Sequence, residues 1–123
     1  MNIAFIGDLT VDRYPEKGII RLGGSSTNCA IHAARLGAHA SVLGAVGTDV
    51  EGEKARETYK KHGVEETLLR TLPGKSSSID IFVDEAGEKR YGAWDPGVLV
   101  DYHLGDEERT FLRGQHAAHL MVY

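Results

Sequence analysis

Residues 2–6 (Asn-Ile-Ala-Phe-Ile) carry a short apolar run that stops abruptly at Gly7-Asp8, which predicts a short buried strand. Residues 19–22 (Ile-Ile-Arg-Leu) predict a second extended segment, closed by Gly23-Gly24. Residues 25–28 (Ser-Ser-Thr-Asn) offer capping side chains ahead of an alanine-rich helix, and Gly37 stands where that helix stops. Cys29, Ala33 and Leu36 share one helical face at spacings i, i+4 and i+7. Residues 40–46 predict another buried strand, Gly47-Thr48-Asp49 a turn, and residues 50–62 a polar helix ended by Gly63. Its Glu53, Glu57, Lys54, Lys60 and Lys61 mark a solvated face. Strands alternating with helices through short connections predict an α/β fold with a parallel sheet.

The pattern then changes. Residues 66–71 and 77–84 predict strands, residues 85–88 a turn, and residues 89–94 a returning partner strand. This adds an antiparallel hairpin to the partial parallel sheet. Asp106-Glu107-Glu108 opens a short helix reaching Arg113, with its acids at the favourable N-terminus. Residues 117–122 predict a last buried strand. Such a strand is normally covered by a following helix. The expectation is therefore an N-terminal piece of a larger protein, or a chain covered by another.

A length of 123 residues fits one domain or part of one. The net charge of −4 argues against a nucleic-acid partner, and no apolar run suggests a membrane span. Residues 1–6 carry no basic region ahead of Gly7-Asp8, so they do not read as a signal peptide. A single cysteine forms no internal disulfide; Cys29 reads as a small buried side chain, and the setting as cytoplasmic. Glycine is in excess at 15 residues, and the excess falls in the turns named above.

Several motifs fail on inspection. Gly74-Lys75-Ser76 resembles the end of a phosphate-binding loop, but Leu69 stands where its first glycine belongs. No glycine-rich dinucleotide fingerprint follows the first strand. No Cys/His cluster supports a metal site. One constellation survives. Residues 7–12 follow the first strand and residues 23–28 precede the first helix, so both lie at the sheet edge where α/β proteins bind ligands. Glycines allow close backbone approach, Asp12 accepts hydrogen bonds, and Asn28 donates and accepts. The set suits a neutral polyhydroxyl ligand; it is equally a tight turn followed by an ordinary helix cap.

Gly23-Gly24-x-x-x-Asn28-x-Ala30 and Val46-Gly47-x-Asp49-x-x-Gly52, in that order, resemble the N-terminal signature of the ribokinase-like (PfkB-type) carbohydrate kinases. Residues 91–98 and 101–104 look most like the fructoselysine-kinase branch. The likeness implies transfer of the ATP γ-phosphoryl group to a sugar hydroxyl, with Mg²⁺, on a ketose or ketose-amine such as fructoselysine. By it, Asp12 holds sugar hydroxyls, Gly23 and Gly24 approach through their backbone, Asn28 hydrogen-bonds the sugar, and Asp80 is a further substrate contact. It implies a lid from strands at about 13–22 and 66–95, which also forms a homodimer contact. Ser25 stands where ribokinase carries a lysine, which argues against plain ribose. The family's catalytic aspartate sits in a Gly-Ala-Gly-Asp element that this sequence lacks. The expectation is thus a sugar-binding part without the nucleotide-binding part, carrying no catalytic residue and binding ATP weakly by itself. The rival expectation is a non-catalytic sugar-binding or assembly module.

Overall fold

The computed structural model describes residues 1–121. Among these residues, eight strands form two four-stranded sheets, accompanied by three α-helices. The first sheet is parallel, in the order β5 (Leu69–Thr71), β4 (His39–Val46), β1 (Asn2–Ile6), β8 (Ala117–Leu120). The second has the order β3 (Ile19–Gly23), β2 (Thr10–Tyr14), β6 (Ser78–Val83), β7 (Lys89–Asp95). It is mixed: β2–β3 and β6–β7 are antiparallel, whereas β2 and β6 run parallel.

Helices cover both faces of the first sheet. α1 (Ser25–Arg35) and α2 (Val50–Lys61) lie on one face, where Ala30, Ala55 and Tyr59 pack with Phe5, Val42 and Val46. α3 (Asp106–Arg113) lies on the other, where Phe111 and Leu112 meet Ala4, Ile6 and Leu43. Strands buried on both faces read as near-continuous apolar runs, as residues 40–46 do. Val42 and Leu43 are wholly buried, each contributing about 1.5–3 kcal/mol of transfer free energy. Tyr59 is buried on α2, its hydroxyl sharing a 2.7 Å hydrogen bond with Thr27 of α1. Arg70 of β5 ties α3 down by donating to Glu108 at 2.7 Å and Glu107 at 2.6 Å.

Four sequence expectations change. Residues 25–28 lie inside the first turn of α1 rather than ahead of it; Gly24 is the N-cap and a carboxylate from another segment does the capping. The face holding Cys29 and Leu36 is the wet one: Cys29 is exposed and Leu36 is 88% exposed. The sheet instead takes the face with Ser26, Thr27 and Ala30, because small side chains let the helix approach closely. Residues 69–71 pair with β4 in the parallel sheet, so the second sheet takes residues 10–23 and 78–95. β8 is mostly exposed rather than buried, since it is an edge strand whose ladder partner among the described residues is β1. Val122, the last residue of that expected strand, lies outside the described residues.

Candidate functional site

The site grows from the two segments that join the sheets. β1 ends at Ile6, and Gly7 turns the chain with φ +107°. Asp8 follows and reaches back to the start of α1. Its carboxylate accepts from the Ser25 N–H at 2.5 Å, the Ser26 N–H at 2.8 Å and the Ser25 hydroxyl at 2.9 Å. The first N–H groups of a helix have no internal partner, and a negative charge there is also favoured by the helix dipole. Gly24 passes so close that a Cβ would stand 1.7 Å from the Asp8 carbonyl oxygen, and its φ is +89°. Only glycine fits there.

Beside this junction lies a hollow of about 320 Å³ lined by Asp8, Thr10, Asp12, Gly24, Ile79 and Trp94. Asp12 stands on β2 with its carboxylate against Gly23, where a Cβ would lie 2.6 Å from it. Burial pushes the Asp12 carboxyl above the usual carboxylate range, and the Lys89 ammonium opposes this. The opposite wall is fixed by Ser77, whose hydroxyl accepts from the Trp94 indole N–H at 2.9 Å and shares a 3.1 Å bond with Thr10. A carboxylate acceptor beside bare glycine backbone, facing an indole and an isoleucine, can hold a polyhydroxyl ring by its hydroxyls and its apolar face.

Of the sequence-predicted residues, Asp12, Gly23 and Gly24 come together here. Asn28 does not join them; it is exposed on α1 and lines a separate hollow between α1, α2 and β3, together with Val11 and Leu22. Asp80 is also apart. Asp12 is in register with Ile79 and Arg13 with Asp80, so alternation turns Asp80 to the other face of the second sheet. Asp8, Thr10 and Ile79 escaped the residue-by-residue reading. Asp8 carried a usable signal, an acid directly after a strand that ends on glycine. Its partner Ser26 lies 18 positions on, which no local pattern reveals.

Among the described residues no three His, Cys, Asp or Glu side chains gather to hold a metal ion, and no helix is long and apolar enough to cross a membrane. Asp49 shows how the second element of the motif works. It caps α2 by accepting from the Gly52 N–H at 3.0 Å, and also takes the Ser76 N–H at 2.7 Å and hydroxyl at 2.6 Å. Burial opposes its charge, but these hydrogen bonds outweigh it and hold the carboxyl below the usual range. Its role is structural.

The comparisons agree with this architecture. Residues 5–108 match the pfkB family of carbohydrate kinases. The chain is 26% identical over 122 residues to the fructoselysine 6-kinase of Escherichia coli (strain K12), covering 99% of this chain and 46% of that protein. It is 27% identical over 126 residues to the fructosamine kinase FrlD of Bacillus subtilis (strain 168), covering 100% of this chain and 44% of that protein. It therefore spans less than half the length of these relatives. Among solved structures, the aminoimidazole riboside kinase of Salmonella enterica, complexed with aminoimidazole riboside and an ATP analog, is similar at 29% identity and TM-score 0.61. That match covers 76% of this chain and 31% of that one. The Arabidopsis thaliana ribokinase complexed with ribose and ATP shares the fold, with TM-score 0.83 at 17% identity over 95% of this chain and 43% of that one. A match over most of its residues, on a fold shared with ribokinase-like enzymes, shows that the chain belongs to the pfkB family of carbohydrate kinases.

Proposed function

We propose that this chain is the N-terminal, sugar-binding part of an ATP-dependent kinase that phosphorylates a hydroxyl of a ketose-amine such as fructoselysine. The observation that carries this reading is the hollow in which Asp12 faces Gly23, Gly24 and Trp94. Asp12 accepts from two sugar hydroxyls, the glycine backbone lies against the ring, and Trp94 covers its apolar face. Asn28 and Asp80 stand outside this cradle. The second sheet acts as the lid over the sugar. Its exposed Tyr91 favours a homodimer contact there. Covering the acceptor excludes water and limits wasteful hydrolysis of the donor.

The hollow does not fit a nucleotide with its metal. Both Asp8 oxygens are taken by Ser25 and Ser26, which leaves Asp12 as the one open carboxylate. ATP and Mg²⁺ are therefore assigned to the rest of the enzyme, and this chain's work is to hold and orient the acceptor. The substrate class rests on the fructoselysine and fructosamine kinases among the relatives. The single cysteine suits a cytoplasmic enzyme.

The test is a calorimetric and thermal-shift titration of the chain with fructoselysine, fructose and, separately, ATP. The sugars should stabilise it and ATP alone should not. Asp12→Ala should weaken sugar binding by about tenfold or more, the loss of a charge-assisted hydrogen bond. Unchanged sugar affinity in a folded Asp12→Ala protein would refute the assignment. Stabilisation by ATP alone would contradict the division of labour.

A further inference from the structure

A second hollow opens on the same face of the second sheet. It measures about 260 Å³ and is lined by Tyr14, Lys17, Ile19, Arg21, Val83 and Lys89. Register puts it in line with the sugar hollow. Arg21 lies directly opposite Asp12, and Ile19 opposite Tyr14. Val83 lies opposite Lys89 and shares the face of Ile79 four residues earlier. Tyr14 is two residues beyond Asp12 along β2, a step of about 7 Å. Arg21 therefore brings this hollow up beside Asp12, and Tyr14 carries it one such step further.

Its chemistry is unlike its surroundings. Three of its six lining side chains are cationic and none is acidic, in a chain whose net charge is −4. Among the described residues, no carboxylate lies within ion-pair distance of Lys17, Arg21 or Lys89. The Arg21 guanidinium carbon lies 5.9 Å from the centre of the Tyr14 ring, within cation–π range. A ring contact of this kind uses none of the guanidinium N–H donors, which leaves the fork for an anion. Val83 and Ile19 add apolar walls on which a short methylene chain can lie.

We propose that Lys17, Arg21 and Lys89 form a carboxylate subsite next to the sugar hollow, which selects a ketose carrying an amino-acid tail. This rests on the sugar-binding reading above and adds the residues that would choose the substrate. The tail leaves the sugar at Asp12, runs along β2 to the Tyr14 ring, beside which the Arg21 guanidinium lies, and ends with its carboxylate on the Arg21 fork and the two ammonium groups. Lys89 then serves both hollows, since its charge is also felt by Asp12.

The experiment compares three probes on the full chain by isothermal titration at low salt. They are fructoselysine, its decarboxylated analogue in which fructose is joined to 1,5-diaminopentane, and fructose. The first two share the sugar, the methylenes and both amines, and differ by the carboxylate alone. Wild type should bind fructoselysine about tenfold more tightly than the analogue, as a charge-assisted pair requires. Arg21→Gln and Lys17→Gln should each narrow that gap and leave fructose binding unchanged. Equal affinity of the two amine probes for wild type, with fructose still bound, would overturn the subsite and leave the sugar reading standing. A gap that neither substitution narrows would overturn the residue assignment. Failure of all three probes to bind the folded chain would overturn both readings. The wild-type comparison needs no variant, so a substitution that disturbs folding does not decide the matter.

Discussion

Removing the Asp8 carboxylate tests the junction on which the site is built. Asp8→Ala deletes three hydrogen bonds at once, from the Ser25 N–H, the Ser26 N–H and the Ser25 hydroxyl. Loss of a helix N-cap costs about 0.5–2 kcal/mol. Ser26 is fully buried, so its N–H has no water to turn to, and an orphaned buried donor costs a further 1–3 kcal/mol or so. The expected total is about 3 kcal/mol, a large share of the roughly 5–15 kcal/mol that keeps an ordinary domain folded. With a urea slope of about 1.5 kcal/mol per molar, the unfolding midpoint should fall by about 2 M. Asp8→Asn keeps one acceptor oxygen and should lose about 1 kcal/mol, still a cap. Both measurements come from urea titrations followed by far-ultraviolet circular dichroism. A loss under 1 kcal/mol for Asp8→Ala would mean that water satisfies the start of α1 and that the carboxylate is not its cap. Because both Asp8 oxygens are occupied, Asp8→Asn should also disturb sugar affinity less than Asp12→Asn does.

Other expectations follow from the same geometry. Gly24→Ala forces a side chain to φ +89° and into the Asp8 carbonyl, and should cost more than about 3 kcal/mol in urea unfolding; a near-neutral result would show that the turn can open. Asp49 has a depressed carboxyl, so its charge stabilises the fold above the ordinary value of 3.8 and that contribution is lost as pH falls below it. Asp49→Asn should therefore flatten the acid limb of a stability–pH curve, and an unchanged limb would contradict the assignment. Asp12 has the opposite sign. Its raised carboxyl favours the fold at low pH, and that benefit is lost as pH rises above 3.8. Asp12→Asn should raise the melting temperature at pH 7 while sugar binding falls, the gain fading toward pH 4; a lower melting temperature at pH 7 would refute this.

The fold was legible wherever the pattern was local. Runs at residues 2–6 and 40–46 became buried strands, and Gly63, at φ +69°, ends α2 as its place in the sequence suggests. What the sequence hid depends on partners far along the chain. The wet face of α1 could not be told from the buried one, because its buried positions are Ser26, Thr27 and Ala30, which carry little hydropathy. Thr27 is inside because Tyr59, 32 residues on, meets its hydroxyl. The parallel pairing of β2 with β6 spans more than 60 positions and leaves no local mark. In the site, Asp12, Gly23 and Gly24 could be named from their motif. The separation of Asn28 and Asp80 from them needed the register of the second sheet and the packing of α1.

The path from β5 to β6 has a mechanical consequence. Here the chain crosses from the first sheet to the second, and on the way Ser76 accepts from the Gly47 N–H at 2.9 Å and donates to Asp49. Gly47 lies so close beneath that a Cβ would stand 2.3 Å from the Gly74 carbonyl oxygen. Carrying this segment away with the second sheet would therefore break both Ser76 bonds to Asp49, the carboxylate that caps α2, and expose the buried Ser76. Local opening, which in many proteins frees a peripheral sheet at little cost, is here tied to the central one. Amide hydrogen exchange should report it: the β6 amides and those in the first turn of α2 should exchange with similar protection and be lost together in a single cooperative event.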